Sequence, residues 1–332
     1  MSATILLPAQ PDGVEWPTKD WPRGAPPEGF SEPDAPDLGK TNGLAVIWRG
    51  RLVHERYAPG FGPDSTFLSW SVAKSVLHAL VGILVRDGKL QIERPADVPR
   101  WRAPGDARAA ITLDQLLRMS SGLFWREDYV DAGRSDVIEM LFGEGKDDVA
   151  DFAAHFPLEH APDAVWSYSS GTSNLVSALA GRALGGGGTG EHLRRELFAR
   201  LGMASARVRS DAAGTWIGSS FVFATARDFA RFGLLYLRDG VWEGERVLPE
   251  GWVDYARRVT PGSAWEGQEY GAHWWLQPGG EGLFSANGYA GQYVFVAPAR
   301  DVVAVRLGES SAEHAPALRA WLRALVERFP KL

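Results

Sequence analysis

An α+β fold is what this sequence predicts: an antiparallel β-sheet flanked by helices, built from both ends of the chain and interrupted by a mostly helical insert. β-type runs lie near the N-terminus, at Gly43–Arg49 and Leu52–Tyr57, and return only from about residue 270. Between them the pattern is of short helices, and an amphipathic helix closes the chain. Strands at both ends with helices between imply one sheet domain interrupted by an insertion. The expected division is a proline-rich extension at 1–40, a sheet domain at 41–98 and 266–332, and a mostly helical domain at 99–265. A chain of 332 residues is long enough for two such lobes.

Taken in order, residues 1–40 hold eight of the 21 prolines with Trp16, Trp21 and Phe30, and read as irregular chain draped on the surface. The two runs flanking Gly50 form a hairpin signal. Leu68–Asp87 reads as a buried helix, apolar at Val72, Val76, Leu80 and Ile83 and stopped by Gly88. Helices follow at Thr112–Met119, Ser135–Phe142, Asp148–His155, Gly171–Leu184, Glu191–Leu201, Ala224–Leu237 and Pro249–Arg257. Strands are expected at Gly271–Leu276, Gly282–Asn287, Gln292–Val296 and Val302–Leu307, with Pro298–Asp301 as the last hairpin turn. The closing helix, about Ala312 to Phe329, carries a stripe of Leu318, Leu322 and Leu325.

Composition narrows the partners. A net charge of -6 without any Lys/Arg run argues against nucleic acid or an anionic membrane. The absence of cysteine excludes disulfides, thiolate chemistry and Cys-zinc sites. No segment is apolar for long enough to span a bilayer and no signal-peptide pattern opens the chain, so the cytoplasm is the expected compartment. His155 and His160 stand five apart, off the spacing of paired ligands on a helix face, and no metal site is expected. Gly185–Gly190 formally fits G-x-G-x-x-G but follows a helix, so it reads as a linker. The oligomeric state is open.

Three stretches carry chemistry. Ser71 and Lys74 are three apart at the start of the buried helix, which stacks them on one face near its positive end. Bare S-x-x-K arises by chance, and a lysine there could simply snorkel. Yet Lys74 is the one lysine of six with a serine three residues before it, and an amine within an apolar helix must find partners or lose its charge. Trp166-Ser-Tyr168-Ser-Ser170-Gly171 precedes a helix; alone, Tyr168 would pass for a core aromatic. Phe284-Ser-Ala286-Asn287-Gly288-Tyr289-Ala290-Gly291-Gln292 interrupts a strand pattern with glycines, a mark either of close approach to a ligand or of a bulge.

In that order these stretches resemble the serine β-lactamase and penicillin-binding-protein superfamily: S-x-x-K, Y-x-S and a glycine-containing third motif. Ile111–Gly122, Ala224–Gly233 and Gly288–Gln292 are similar to the branch of class C-related esterases and 6-aminohexanoate-dimer (nylon oligomer) hydrolases. The resemblance implies a β-lactamase/transpeptidase-like fold and hydrolysis of a small ester or amide without a cofactor. It implies Ser71 as the acylated nucleophile, Lys74 as the amine that polarises it and also lowers the pKa of Tyr168, and Tyr168 as general acid/base. Ser170 would hydrogen-bond at the third position of its motif, and the N–H groups of Ser71 and Tyr289 would form the oxyanion hole. Ser170, Asn287, Gly288, Trp166 and Trp274 are expected at the substrate, as is Tyr129, which resembles a substrate-loop tyrosine; Trp70 and Trp275 flank the motifs too. Core packing is the competing reading for the tryptophans.

One departure bears on the substrate. Ala286 stands where β-lactamases and peptidases of the superfamily carry lysine, which ranks ester or short-amide cleavage above β-lactam or D-alanyl peptide cleavage. A non-enzymatic binding protein that keeps the cleft is the rival from another class. No G-x-S-x-G is present, which argues against the α/β-hydrolase route.

Overall fold

A computed structural model describes residues 5–35, 37–129, 135–277 and 281–332. Its large sheet has seven strands: β1 Lys40–Trp48, β2 Arg51–Tyr57, β3 Glu269–Tyr270, β4 Trp275–Leu276, β5 Phe284–Gly288, β6 Gln292–Ala297 and β7 Val302–Glu309. They lie in the order β2-β1-β7-β6-β5-β4-β3, each pair antiparallel. The N-terminal hairpin is thereby joined to the C-terminal meander by β1 against β7. Arg49 and Gly50 both have positive φ, 50° and 72°, as a two-residue turn needs to match strand twist.

Of four longer helices, α1 Val72–Arg86, α3 Ala226–Leu237 and α4 Ala315–Glu327 cover the sheet, while α2 Ser170–Ala183 packs on α1 and the shorter middle helices. Strand alternation assigns the two faces. Leu44, Val46, Phe295, Val302 and Ala304 pack with Leu318, Trp321, Leu322 and Leu325 of α4. Ala45, Ile47, Val294, Val303 and Val305 pack with α1 and α3, in a core that continues to Leu113, Leu116 and Leu175 among the middle helices. Both faces are therefore dry, which explains why the central strands are apolar at nearly every position.

Short polar caps set the helix starts. Thr112 and Gln115 make a capping box, Ser169 accepts the N–H of Thr172, and Thr225 accepts that of Asp228. The N-terminal segment is fastened as well as draped. Arg231 donates to Pro17 O at 2.7 Å, Arg238 to Gln10 Oε1 at 2.9 Å, and Arg257 to Ile5 O at 3.1 Å, while Trp21 is buried.

One expected strand is shorter than the sequence suggests. Of Gly271–Leu276 only Trp275–Leu276 pairs in the sheet. His273 sits at φ 55°, its N–H donates to Leu117 O, and its carbonyl accepts from Ser75 Oγ at 2.7 Å. A backbone committed to two helices in a left-handed conformation cannot also run in a ladder.

Candidate active site

The chain reaches α1 from the short strand Thr66–Leu68, turns sharply at Trp70 (φ 45°) and enters the helix after Ser71. The turn leaves Ser71 at the mouth of a cavity of about 580 Å³, and α1 runs inward behind it, buried from Val72 to Leu84. Among the described residues the Ser71 N–H meets no backbone carbonyl. One helical turn further in, Lys74 is 1% exposed. Its Nζ lies 3.0 Å from Ser71 Oγ, 2.9 Å from Ser170 Oγ and 3.1 Å from the carbonyl oxygen of Ser219. Burial lowers its pKa from 10.5 to about 8, against the opposing pull of Glu127.

Tyr168 stands on the other side. The Lys74 ammonium nitrogen lies 4.9 Å from the centroid of its ring, and its hydroxyl faces Ser71. The sequence reading has Lys74 lowering the Tyr168 pKa; the structure has the reverse balance. Burial and the nearby Glu127 push the phenol up, with only the Ser71 hydroxyl opposing. The amine faces the ring rather than the oxygen, so the readily deprotonated group of the pair is Lys74.

Glu127 is the residue that the sequence did not single out. Its carboxylate accepts four hydrogen bonds: from Ser170 N–H at 2.8 Å, Ser170 O–H at 2.5 Å, Trp125 Nε1 at 2.6 Å, and the Tyr129 hydroxyl. The available signal was spacing, since Trp125, Glu127 and Tyr129 stand at alternate positions of one loop. All three line the cavity.

Of the other expected site residues, Trp166, Asn287, Gly288 and Tyr289 line the same cavity as Ser71, Tyr129 and Tyr168. Gly288 must be glycine, because a Cβ there would come 2.3 Å from the carbonyl oxygen of Ser69. Two expectations are corrected. Trp274 is fully buried and packs on Tyr236, Phe232 and Phe284; its neighbour Trp275 lines the cavity, since the turn at His273 resets which residue faces out. Ser170 does not line the cavity but lies beneath it, 1% exposed, between Lys74 and Glu127. Trp125, Trp265 and Glu266 complete the wall.

The lining is aromatic and acidic. Trp166 packs against Trp265, Tyr270 and Trp275, and Tyr129 against Tyr289. Among the described lining residues none is Lys, Arg or His, and Ala286, in the place of the superfamily lysine, is 1% exposed in the core. The described residues include no cluster suited to a metal ion and no helix long and apolar enough to cross a membrane.

Residues 39–328 match the Beta-lactamase family. The chain is 27% identical over 283 residues to the 6-aminohexanoate-dimer hydrolase of Paenarthrobacter ureafaciens, covering 80% of this chain and 72% of that one. It is 30% identical over 296 residues to penicillin-binding protein 4 of Amycolatopsis lactamdurans, covering 77% and 75%. A solved structure from Bacillus anthracis, assigned as a 6-aminohexanoate-dimer hydrolase, superposes with a TM-score of 0.79 at 22% identity, over 98% of this chain and 91% of that one. With the serine of the first motif stretch and the tyrosine of the second lining one cavity, and the lysine 3.0 Å behind the serine, the chain belongs to the Beta-lactamase family and is a serine hydrolase of the β-lactamase and penicillin-binding-protein superfamily.

Proposed function

We propose that the protein cleaves small carboxylic esters or short amides through an acyl-enzyme on Ser71. The observation that carries this reading is the setting of Lys74. A neutral amine has two hydrogens and one lone pair, and two of its three neighbours are acceptors: the Ser219 carbonyl, and Ser170 Oγ, whose own hydrogen goes to Glu127. The lone pair is left facing Ser71 Oγ at 3.0 Å. Lys74 thus takes the Ser71 proton as Oγ bonds to the substrate carbonyl carbon. The N–H groups of Ser71 and Tyr289 receive the developing oxyanion. Tyr168, beside Ser71, passes its proton to the leaving group; water then attacks the acyl carbon, giving a proton to the Tyr168 oxygen while Lys74 returns the Ser71 proton and the acid is released.

The described lining carries Glu127 and Glu266 and no cation, which supports ranking esters and amides ahead of β-lactams and D-alanyl peptides. The likeness to the 6-aminohexanoate-dimer hydrolase supports the amide side of this reading. The test is a fluorophosphonate probe read by intact mass, with a panel of p-nitrophenyl esters, 6-aminohexanoate dimer, nitrocefin and D-alanyl peptides. One adduct on Ser71, lost in Ser71→Ala together with turnover, is expected. An unlabelled Ser71 would favour a non-enzymatic binder, and rapid nitrocefin turnover with negligible ester or amide cleavage would reverse the substrate ranking.

A further inference from the structure

Resting on the reading of the Tyr289 N–H as an oxyanion donor, we propose that Arg306 and Gln292 are positioning residues that lock the Tyr289–Gly291 turn from behind, so that transition-state stabilisation at Ser71 depends on a guanidinium and an amide that never meet the substrate.

Arg306 stands on β7 in line with Val302 and Ala304, which pack under α4, at a position where alternation calls for an apolar side chain. It is fully buried. Among the described residues the groups that accept from it are all neutral oxygens. Nη1 donates to Gly291 O at 2.8 Å and to Ala290 O at 3.4 Å, Nη2 to Lys40 O and Ser310 Oγ at 2.8 Å, and Nε to Thr41 Oγ1 at 3.1 Å. Burial lowers its pKa from 12.5 to about 10, which still leaves it charged at neutral pH. A buried cation bonded only to neutral groups costs stability that an aliphatic side chain would not. What an aliphatic side chain could not do is hold the carbonyls of this turn. The chain also clears room for the fork: a Cβ at Gly291 would collide with Nη1, and one at Gly308 would come 2.8 Å from Cζ.

Gln292, also buried, holds the same turn from the start of β6. Its amide pairs with the backbone of Gly308, Oε1 accepting the N–H at 3.0 Å and Nε2 donating to the carbonyl at 2.7 Å. One amide hydrogen is thereby committed, and the other is shared by Tyr289 O at 3.2 Å and Ala290 O at 3.3 Å. All three carbonyls of the turn therefore end on Arg306 or Gln292. The turn needs such holding, because Ala290 sits at φ 58°, ψ 22°, a left-handed conformation that alanine keeps only where its surroundings impose it. From the front, the Tyr289 ring meets Trp70 edge-on at 5.5 Å. The Tyr289 N–H is thus set by contacts on both sides of the turn. A donor displaced by about 1 Å loses much of its value to the transition state, while the cavity wall that binds the ground state is unaltered.

The experiment measures hydrolysis of a neutral p-nitrophenyl ester by wild type, Arg306→Lys and Gln292→Met, with kcat expressed per Ser71 labelled at end point by a fluorophosphonate. Lysine keeps the charge but replaces the fork by one nitrogen; methionine keeps the unbranched shape of glutamine without its amide. Each variant should lose roughly 10- to 100-fold in kcat per labelled serine with KM unchanged, because acylation and deacylation use the same oxyanion site. Affinity for a boronic acid that becomes tetrahedral on Ser71 should fall by the same factor. An unchanged kcat per labelled serine, whatever the yield of folded protein, would make both residues merely structural and overturn the proposal. A raised KM at constant kcat would overturn it too, since the effect would then lie in ground-state binding. Either variant decides alone if the other does not fold. Labelling of wild-type Ser71 separates the two failures: a labelled wild type with unaffected variants sinks this inference alone, and an unlabelled one sinks the acyl-enzyme reading beneath it.

Discussion

Replacing Lys74 by methionine should inactivate the protein and, at neutral pH, relieve it of an unfavourable buried charge. Methionine follows the same unbranched path inside α1 without the ammonium. Lys74 titrates at about 8 in the fold against 10.5 for the free side chain. The unfolded chain therefore binds this proton more tightly, and wild-type stability rises with pH from about 8 to about 10.5. Linkage gives a destabilisation of about 3 kcal/mol at pH 7, about 2 kcal/mol at pH 9 and below about 1 kcal/mol at pH 10. The acceptors left behind, Ser170 Oγ and Ser219 O, add a term of the opposite sign that does not vary with pH. The difference between the two proteins is thus the useful quantity, because other titrations are common to both. Urea unfolding of wild type and Lys74→Met at pH 7, 8, 9 and 10 should show the variant losing about 2 to 3 kcal/mol relative to wild type across that range. Stability curves that stay parallel from pH 7 to 10 would refute the buried, depressed amine and with it the assignment of Lys74 as the proton acceptor.

The same titration predicts that kcat/KM for a neutral ester rises with pH and levels off above about 8; a profile flat between pH 6 and 9 would exclude Lys74 as the base. Gly288→Ala places a Cβ 2.3 Å from the Ser69 carbonyl oxygen, so β5 must draw back from the start of α1. Turnover should fall sharply with the circular dichroism spectrum retained, and normal kcat would count against the placement of Tyr289 at the oxyanion. Trp274→Ala should destabilise by about 3–5 kcal/mol, read as a lowered urea midpoint. Trp275→Ala should mainly raise KM; the converse pattern would invert the assignment of the two indoles.

Several elements were legible because their chemistry is local. The turn at Gly50, the helix start at Thr112 and the period-2 and helical apolar patterns each declare themselves within a few residues. The serine, lysine and tyrosine stretches were legible through their order. Harder to read was anything set by a distant partner. His273 leaves the strand because Leu117 and Ser75 claim its backbone, and this alone decides that Trp275, not Trp274, faces the cavity. Glu127 escaped notice because a glutamate between Arg126 and Asp128 looks like solvated loop. Only the fold brings Ser170, over 40 residues away, onto its two oxygens. The direction of the Tyr168 shift was likewise a matter of which part of the ring the amine faces.

The pairing of the first strand with the last has a consequence during synthesis. β1 joins β7 along nearly its full length, from Lys40 opposite Glu309 to Trp48 opposite Val302. The opening hairpin therefore leaves the ribosome with one edge unsatisfied, and must wait on the order of ten seconds or more for its neighbour to be translated. Long-range pairing of this kind slows folding and exposes strand edges to other chains. α1 is in the same position, since β5 and β6, which roof it, are made long after it. The surroundings of Ser71 thus assemble only once the last strands of the sheet have been made. A nascent chain carries the serine early but has no reactive centre to mislead, and slowed elongation or chaperone cover over the first third should raise the yield of active protein more than any change near the C-terminus.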